Sequence, residues 1–254
     1  MFDTVRFLQN GFSVTFPRVP NIRRMANKFE DTLTTLAPDH YTQPHIIPVP
    51  DEFEPELPRI IFGSQHGFSQ IIISQISMVL NVAYSPDWQL DIRKGRDYLH
   101  QRVSVLFSLL ATLDDAKPFF SGLTTHARLV AEDSLGEQVI LRYFAKRYAS
   151  KAADQDVHDL QIKVTRVHED QYFDNLTVQN VRVWKIDSQP SDVMRLPAAS
   201  VIEHGLDIVG DYNDRYAFNE NLGYFSSAVA ASEIIDRGID AVSEQIGELR
   251  GEKN

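Results

Sequence analysis

Between Pro58 and Leu113 the apolar positions first keep the two-residue period of a strand and then the three-to-four-residue period of a helix. Ile60, Ile61 and Phe62 form one apolar run, and Phe68 to Val82 forms a second, with Ile72, Ile76, Met78, Leu80 and Val82 at even positions. Gly63-Ser64-Gln65-His66-Gly67 between them reads as a turn, so the two runs make a hairpin. From Asp91 onward Ile92, Leu99, Val103, Leu106, Leu110 and Leu113 share one helical face. A strand pair with an amphipathic helix laid on it predicts a core. In it Ile92, Leu99, Val103, Leu106 and Leu110 are buried against Ile72, Ile76 and Met78.

The remaining periods extend this picture. Val5 to Phe16 is rich in β-formers and carries Asn10-Gly11, a hairpin-turn pair, which predicts two short strands. Asn21 to Leu36 places Ile22, Met25, Phe29, Leu33 and Leu36 on one helical face, with Asn21 as the N-cap. Prolines 38, 44, 48, 50 and 55 make the stretch up to Pro58 an extended surface connection. Phe119 to Val130 reads as a strand, with Leu123, Thr125, Ala127 and Leu129 on one side. Ser134 or Asp133 caps a helix running to about Tyr148, and 149–156 reads as a polar hinge. Strands follow over Leu160–Val167, Phe173–Ile186 and Val201–Val209, the last two joined by a proline-containing link over 188–199. A long helix spans Leu222 to Leu249.

Strands in succession without intervening helices predict an α+β fold, mostly antiparallel, with two long helices packed on the sheet. Strands followed by a long helix in each half admit a duplicated β-β-α layout. The expected lobes are 1–118 and 119–254, separate or continuous.

The net charge of −10 sits in the second half, which carries −8 against −2 for residues 1–127. Phosphate binding rests on cations, so the acidic second half is poorly suited to nucleic acid, and a local patch at Arg23, Arg24 and Lys28 is the place where it could bind. Zero cysteines exclude disulfides and thiolate chemistry and fit a reducing compartment. No apolar run approaches the ~18 residues of a membrane span, and no leader pattern opens the chain, so the expected location is the cytoplasm.

Signatures of chemistry are missing. Neither phosphate loop nor dinucleotide fingerprint occurs, and the Gly63–Gly67 segment lacks the spacing of a nucleophile elbow. Histidines 40, 45, 66, 100, 126, 158, 168 and 204 keep no metal-ligand spacing, so no metal or cofactor is expected. Asp211-Tyr212-Asn213-Asp214-Arg215 starts like a calcium loop but has Arg215, Tyr216 and Leu222 where ligands and glycine belong. A loose acid–imidazole set, His168-Glu169-Asp170 with Glu203-His204 and Asp207, is the nearest approach to a catalytic group. His204 and Asp207 point to opposite sides of any strand.

Pro58-Arg59-Ile60-Ile61-Phe62-Gly63-Ser64, followed by Gly67, Gln70-Ile71-Ile72-Ile73-Ser74 and Asn81, resembles a sporadically distributed family of uncharacterised bacterial proteins. Its members share a Pro-x-x-x-Phe-x-Ser strand, a glycine turn, a glutamine-bearing alternating strand and an asparagine near its end. That family's later Asp-Ile-Asn/Asp strand corresponds to Leu206-Asp207-Ile208 or Gly210-Asp211-Tyr212-Asn213. The resemblance implies a bacterial α+β protein with no evident catalytic motif.

The C-terminal helix supplies the remaining candidate. Ile235, Ile239, Val242, Ile246 and Leu249 advance by four and three in turn, the seam spacing of a coiled coil. Asp236, Asp240, Glu244 and Glu248 form an acidic stripe beside it, where like charges at i,i+4 repel. This face either packs on its own domain with the acids in solvent or docks a second copy or a basic protein. With catalytic signatures missing, a non-enzymatic protein-interaction or regulatory role ranks first. An enzyme with a dispersed acid/base site, or a small-molecule or nucleic-acid sensing module, follows.

Overall fold

The computed structural model describes residues 1–113, 116–149, 157–185 and 196–252. Most of the segments expected to be a hinge (149–156) and a link (188–199) lie outside these residues. The described part is α+β, with a nine-stranded antiparallel sheet and six α-helices.

The strands are β1 (Phe2–Thr15), β2 (His45–Ile46), β3 (Ile60–Gly63), β4 (Ser69–Ile73), β5 (Ser77–Ala83), β6 (Phe120–Ala131), β7 (Gln161–His168), β8 (Tyr172–Trp184) and β9 (Val201–Asn213). Their order across the sheet is β2-β3-β4-β5-β1-β6-β9-β8-β7. The helices are α1 (Ala26–Leu36), α2 (Pro86–Gln89), α3 (Ile92–Leu110), α4 (Glu137–Tyr148), α5 (Arg215–Glu220) and α6 (Ala228–Arg250). β1 leads through α1 and β2 to β3, β4, β5, α2 and α3, and β6 leads through α4 to β7, β8, β9, α5 and α6.

Where apolar residues recur at helical spacing, the helices bury that stripe. Leu99, Val103, Leu106 and Leu110 of α3 are buried, and Ile92 is partly so. Asp91 caps this helix by accepting from the Arg93 amide. The sheet supplies Phe12, Val14, Ile71, Ile73, Met78, Leu80, Leu123, Ala127, Leu206 and Ile208 to the same core.

Several boundaries differ from expectation. Asn10-Gly11 is no turn: β1 runs straight through it between β5 and β6, and buried Asn10 donates to Thr125 Oγ1 at 2.6 Å. The run from Phe68 to Val82 is two strands, broken where Ser74 Oγ accepts from the Ile76 and Ser77 amides. That break reverses the alternation, so Ile71 and Ile73 face the core in β4, while Ile72 and Ile76 are only half-buried. Asn21 lies at φ 57° and caps nothing with its side chain; a 3₁₀ turn over Ile22–Met25 precedes α1. Helix α4 starts after Gly136 without a side-chain cap, and α6 starts at Ser227, whose side chain accepts from the Ala230 amide. The proline-rich connection is held by Arg59, which is fully buried and donates to the carbonyls of Pro50, Glu54 and Leu57. Among the described residues no helix is long and apolar enough to cross a membrane.

Candidate functional site

Alternation along each strand divides the sheet into two faces. Leu206, Ile208 and Tyr212 of β9 face the helices, where Gly210 and Gly238 let α6 approach closely. Asp207, Val209, Asp211 and Asn213 alternate onto the opposite face. Strand register carries that assignment across the sheet to Arg128, His126 and Thr124, to Gln9, Gly11 and Ser13, to Asn81 and Val79, and to Gln70. The short helix α5 covers one end of this second face, where Phe218 lies against Phe120 and Tyr216 against Phe173, and the rest of the face carries no described helix.

At its centre lies a chain of charges. Arg128 grips Asp207 with two donors, Nε at 2.6 Å and Nη2 at 3.1 Å, and reaches Glu203 through Nη1 at 3.3 Å. Glu203 in turn accepts from Arg6 at 2.6 Å. His126 brings Nε2 to 3.0 Å from Asp207 Oδ2, though without the alignment of a hydrogen bond. Burial raises the Asp207 carboxyl, but His126 and Arg128 outweigh it and hold the group below its usual range. The Asp207 bond raises the Arg128 guanidinium further, against some desolvation. Two arginines thus face two carboxylates, and the Asp207 carboxyl stays ionised.

Beside this network the face is neutral. A depression of about 650 Å³ is lined by amides and hydroxyls from Gln9, Ser13, Gln70, Asn81 and Thr124, with Gly11, Gly63 and Phe68. Gln9, Gln70 and Thr124 are exposed. Such a surface can recognise hydrogen-bonding groups, but it presents no nucleophile aligned with a base.

The loose acid–imidazole set is divided by the sheet. Asp207 and Glu203 join Arg128 on the open face. His168 and Glu169 instead meet Arg237 of α6, each at 2.8 Å, and Tyr212 lies 3.0 Å from the same His168 nitrogen. Asp170 lies in the β7–β8 turn at φ 50°. His204 belongs to neither group, and its Nε2 is buried without a partner. In the calcium-like segment Asp214 is fully buried and accepts from the Ser121 amide at 2.6 Å and the Tyr224 hydroxyl at 2.7 Å. It therefore ties the start of β6 to the approach of α6. Among the described residues no cluster of His, Asp and Glu is placed to hold a metal ion.

On α6, the seam residues Ile235, Ile239, Val242, Ile246 and Leu249 are buried in the chain's own core. The acids beside them face α3 and α4: Asp236 meets His100 at 3.0 Å, Asp240 meets Arg96, and Glu248 meets Arg147 at 3.6 Å. Glu244 is exposed. Of the basic trio, Arg23 pairs with Asp51 at 3.2 Å and Lys28 donates to the Thr112 carbonyl, leaving Arg24 in solvent.

Gln9, Thr124, His126 and Arg128 carried no signal in sequence. Polar residues alternating in a strand read as an ordinary solvated face, and only the unusual share of amides and hydroxyls sets these apart. No protein-family model and no curated protein matches the chain.

Proposed function

We propose that the protein is a non-enzymatic interaction protein that engages a protein partner across the open face of its sheet. The observation that carries this reading is the combination on one face of a neutral, amide-lined depression and a charge network that cancels itself. Such a face offers hydrogen bonds over a broad area without long-range selection for one sign of charge. A cationic partner at α6 would instead have to draw Asp240 from Arg96 and Glu248 from Arg147.

The same reading takes the chain as an internal duplication with two long helices, α3 and α6. Corresponding strand pairs support it: Gln70 lies opposite Asn81 across β4–β5, and Asn175 lies opposite Asp211 across β8–β9. The repeated unit is strand, helix, three strands, long helix, which is richer than β-β-α.

A photo-crosslinking residue placed at exposed Thr124, in cells of the native host, tests the proposal. One discrete protein adduct is expected there and none from the same group at exposed Glu244, and Asn81→Arg should abolish the Thr124 adduct. Identical adducts from both faces, or none at Thr124, would overturn it. An adduct of twice the chain mass would identify the partner as a second copy. An enzyme with a dispersed acid/base site is the second reading, favoured by the His126–Asp207 contact on this face.

A further inference from the structure

Three side chains able to carry positive charge meet beside the Gly63–Gly67 turn. His40 and His66 have ring centroids 6.3 Å apart, and His40 Nε2 lies 2.9 Å from the Tyr98 hydroxyl. Tyr98 is held in place by Ser69 Oγ at 2.6 Å, and the Arg102 guanidinium lies 5.5 Å from the Tyr98 ring centroid. Four separate parts of the chain converge here: the segment after α1, the hairpin turn, β4 and α3.

What this cluster lacks is an anionic acceptor. Arg102 Nε and Nη1 and the Tyr41 hydroxyl are buried and make no well-aligned hydrogen bond; the guanidinium lies close enough to Tyr41 to pull on its hydroxyl, a neutral acceptor beside it. Leaving a charged buried donor unbonded costs more than a neutral one, and the Tyr98 ring offsets only part of that through a cation–π contact. After burial itself, the groups that lower the His40 imidazole are Arg102 and His66, both on the cationic side. Burial and Tyr98 raise the Tyr41 hydroxyl, against the pull of Arg102, so it remains a donor. Glu30 of α1 and Asp39 border Tyr41 across a small cavity of about 90 Å³, yet neither forms an ion pair with Arg102 or either histidine.

We propose that Arg102, Tyr41, His40 and His66 form a binding site for an oxyanion, the phosphate or carboxylate group of a small ligand. The guanidinium supplies fixed, directional N–H donors and the tyrosine an O–H, while the exposed His66 marks the mouth. An anion seated here favours the imidazolium form of both histidines. Binding therefore tightens as pH falls below the ordinary imidazole range, because burial, Arg102 and His66 lower the His40 ring in the free protein. The titratable and charged groups that face the site are His40, His66, Tyr41, Tyr98 and Arg102, with Glu30 and Asp39 at its border. The site adjoins the open-face depression, because Ser69, which holds Tyr98, and Phe68, which packs on Tyr98 and His66, also line that depression.

Inorganic phosphate added to the full chain tests the proposal, with chloride of matched ionic strength as the reference and acetate as a second probe. Phosphate at about ten times its dissociation constant should raise the unfolding midpoint by roughly 3–5 °C. The His40 and His66 ring resonances should titrate at higher pH in its presence. Arg102→Gln should lose the shift, and Arg102→Lys should retain part of it. Saturation by acetate alone would assign the site to carboxylates and saturation by phosphate alone to phosphate esters, both within the proposal. Ring resonances of wild type that respond no differently to phosphate, acetate and chloride would overturn it. So would an undiminished shift in folded Arg102→Gln.

Discussion

His126 on β6 and Asp207 on β9 lie on the open face with 3.0 Å between imidazole and carboxylate, and Arg128 holds the same carboxylate from the other side. Removing that charge leaves the Arg128 guanidinium with Glu203 alone. Asp207→Asn is expected to cost about 3 kcal/mol in urea unfolding, within the range for breaking a buried pair. A cost below about 1 kcal/mol would show the network to be dispensable.

Two buried aspartates predict opposite pH trends. Asp207 sits below its usual range, so its folded form binds protons less readily than the unfolded chain, and its contribution is lost as pH falls below about 4. Asp214 is raised by burial against the bonds from Ser226, Tyr224 and Ser121, so its folded form binds protons more readily. Its contribution is present at low pH and lost as pH rises through its folded value. Stability followed by denaturant midpoint should therefore fall below about pH 4 as Asp207 is protonated, while Asp214 contributes a gain as pH falls through its raised folded value. Asp214→Asn should remove that gain.

Leu106 is fully buried, whereas Ile72 alternates onto the open face. Leu106→Ala should cost ~2–5 kcal/mol and Ile72→Ala about 1 kcal/mol or less. Equal costs in thermal unfolding would place the core elsewhere.

A methyl group at Gly238 would lie 3.0 Å from Tyr212 Cβ and 3.2 Å from Leu123 Cδ2, which the sheet fixes. At Gly95 it would lie 2.7 Å from the Tyr84 hydroxyl and 2.9 Å from Tyr84 Cζ, and that ring is buried. Helix propensity favours alanine by about 1 kcal/mol at both sites. Gly95→Ala should still destabilise by roughly 1–2 kcal/mol, because overpacking against the buried Tyr84 ring exceeds that gain, and Gly238→Ala, whose contacts are 3.0 Å or longer, should be milder. Chemical denaturation of the two variants distinguishes them, and the reverse order would contradict this.

On α6, Ile239→Asp introduces a charge where exposure is zero and should abolish cooperative folding, whereas Asp240→Lys should change stability by less than about 1 kcal/mol. Circular dichroism checks both. A folded Ile239→Asp protein would free the seam for a partner.

The faces of α3 and α6 were legible because helical period is a local property, and Leu99, Leu106, Ile239 and Val242 all fall where it puts them. Asn10-Gly11 was misread because a turn signal is local while the reason for a strand is not. Asn10 bonds Thr125, and Gly11 stands where a Cβ would lie 3.3 Å from Asn81 Oδ1. The break at Ser74 was hidden by the isoleucines around it, whose alternation changes phase without changing composition. His126 with Asp207, and Arg102 with Tyr41, are joined by tertiary register, which no spacing in the chain encodes.

The first strand of the sequence sits in the middle of the sheet, flanked by β5 and β6. As the chain leaves the ribosome, β1 therefore waits with both backbone edges bare, first for β5 and then for β6, while the compact β3–β4–β5 meander can close on its own. Pairings of such long sequence separation slow folding and leave sticky edges exposed meanwhile. Refolding from denaturant should therefore lose yield steeply as protein concentration rises, because bare strand edges on separate chains can then pair with one another.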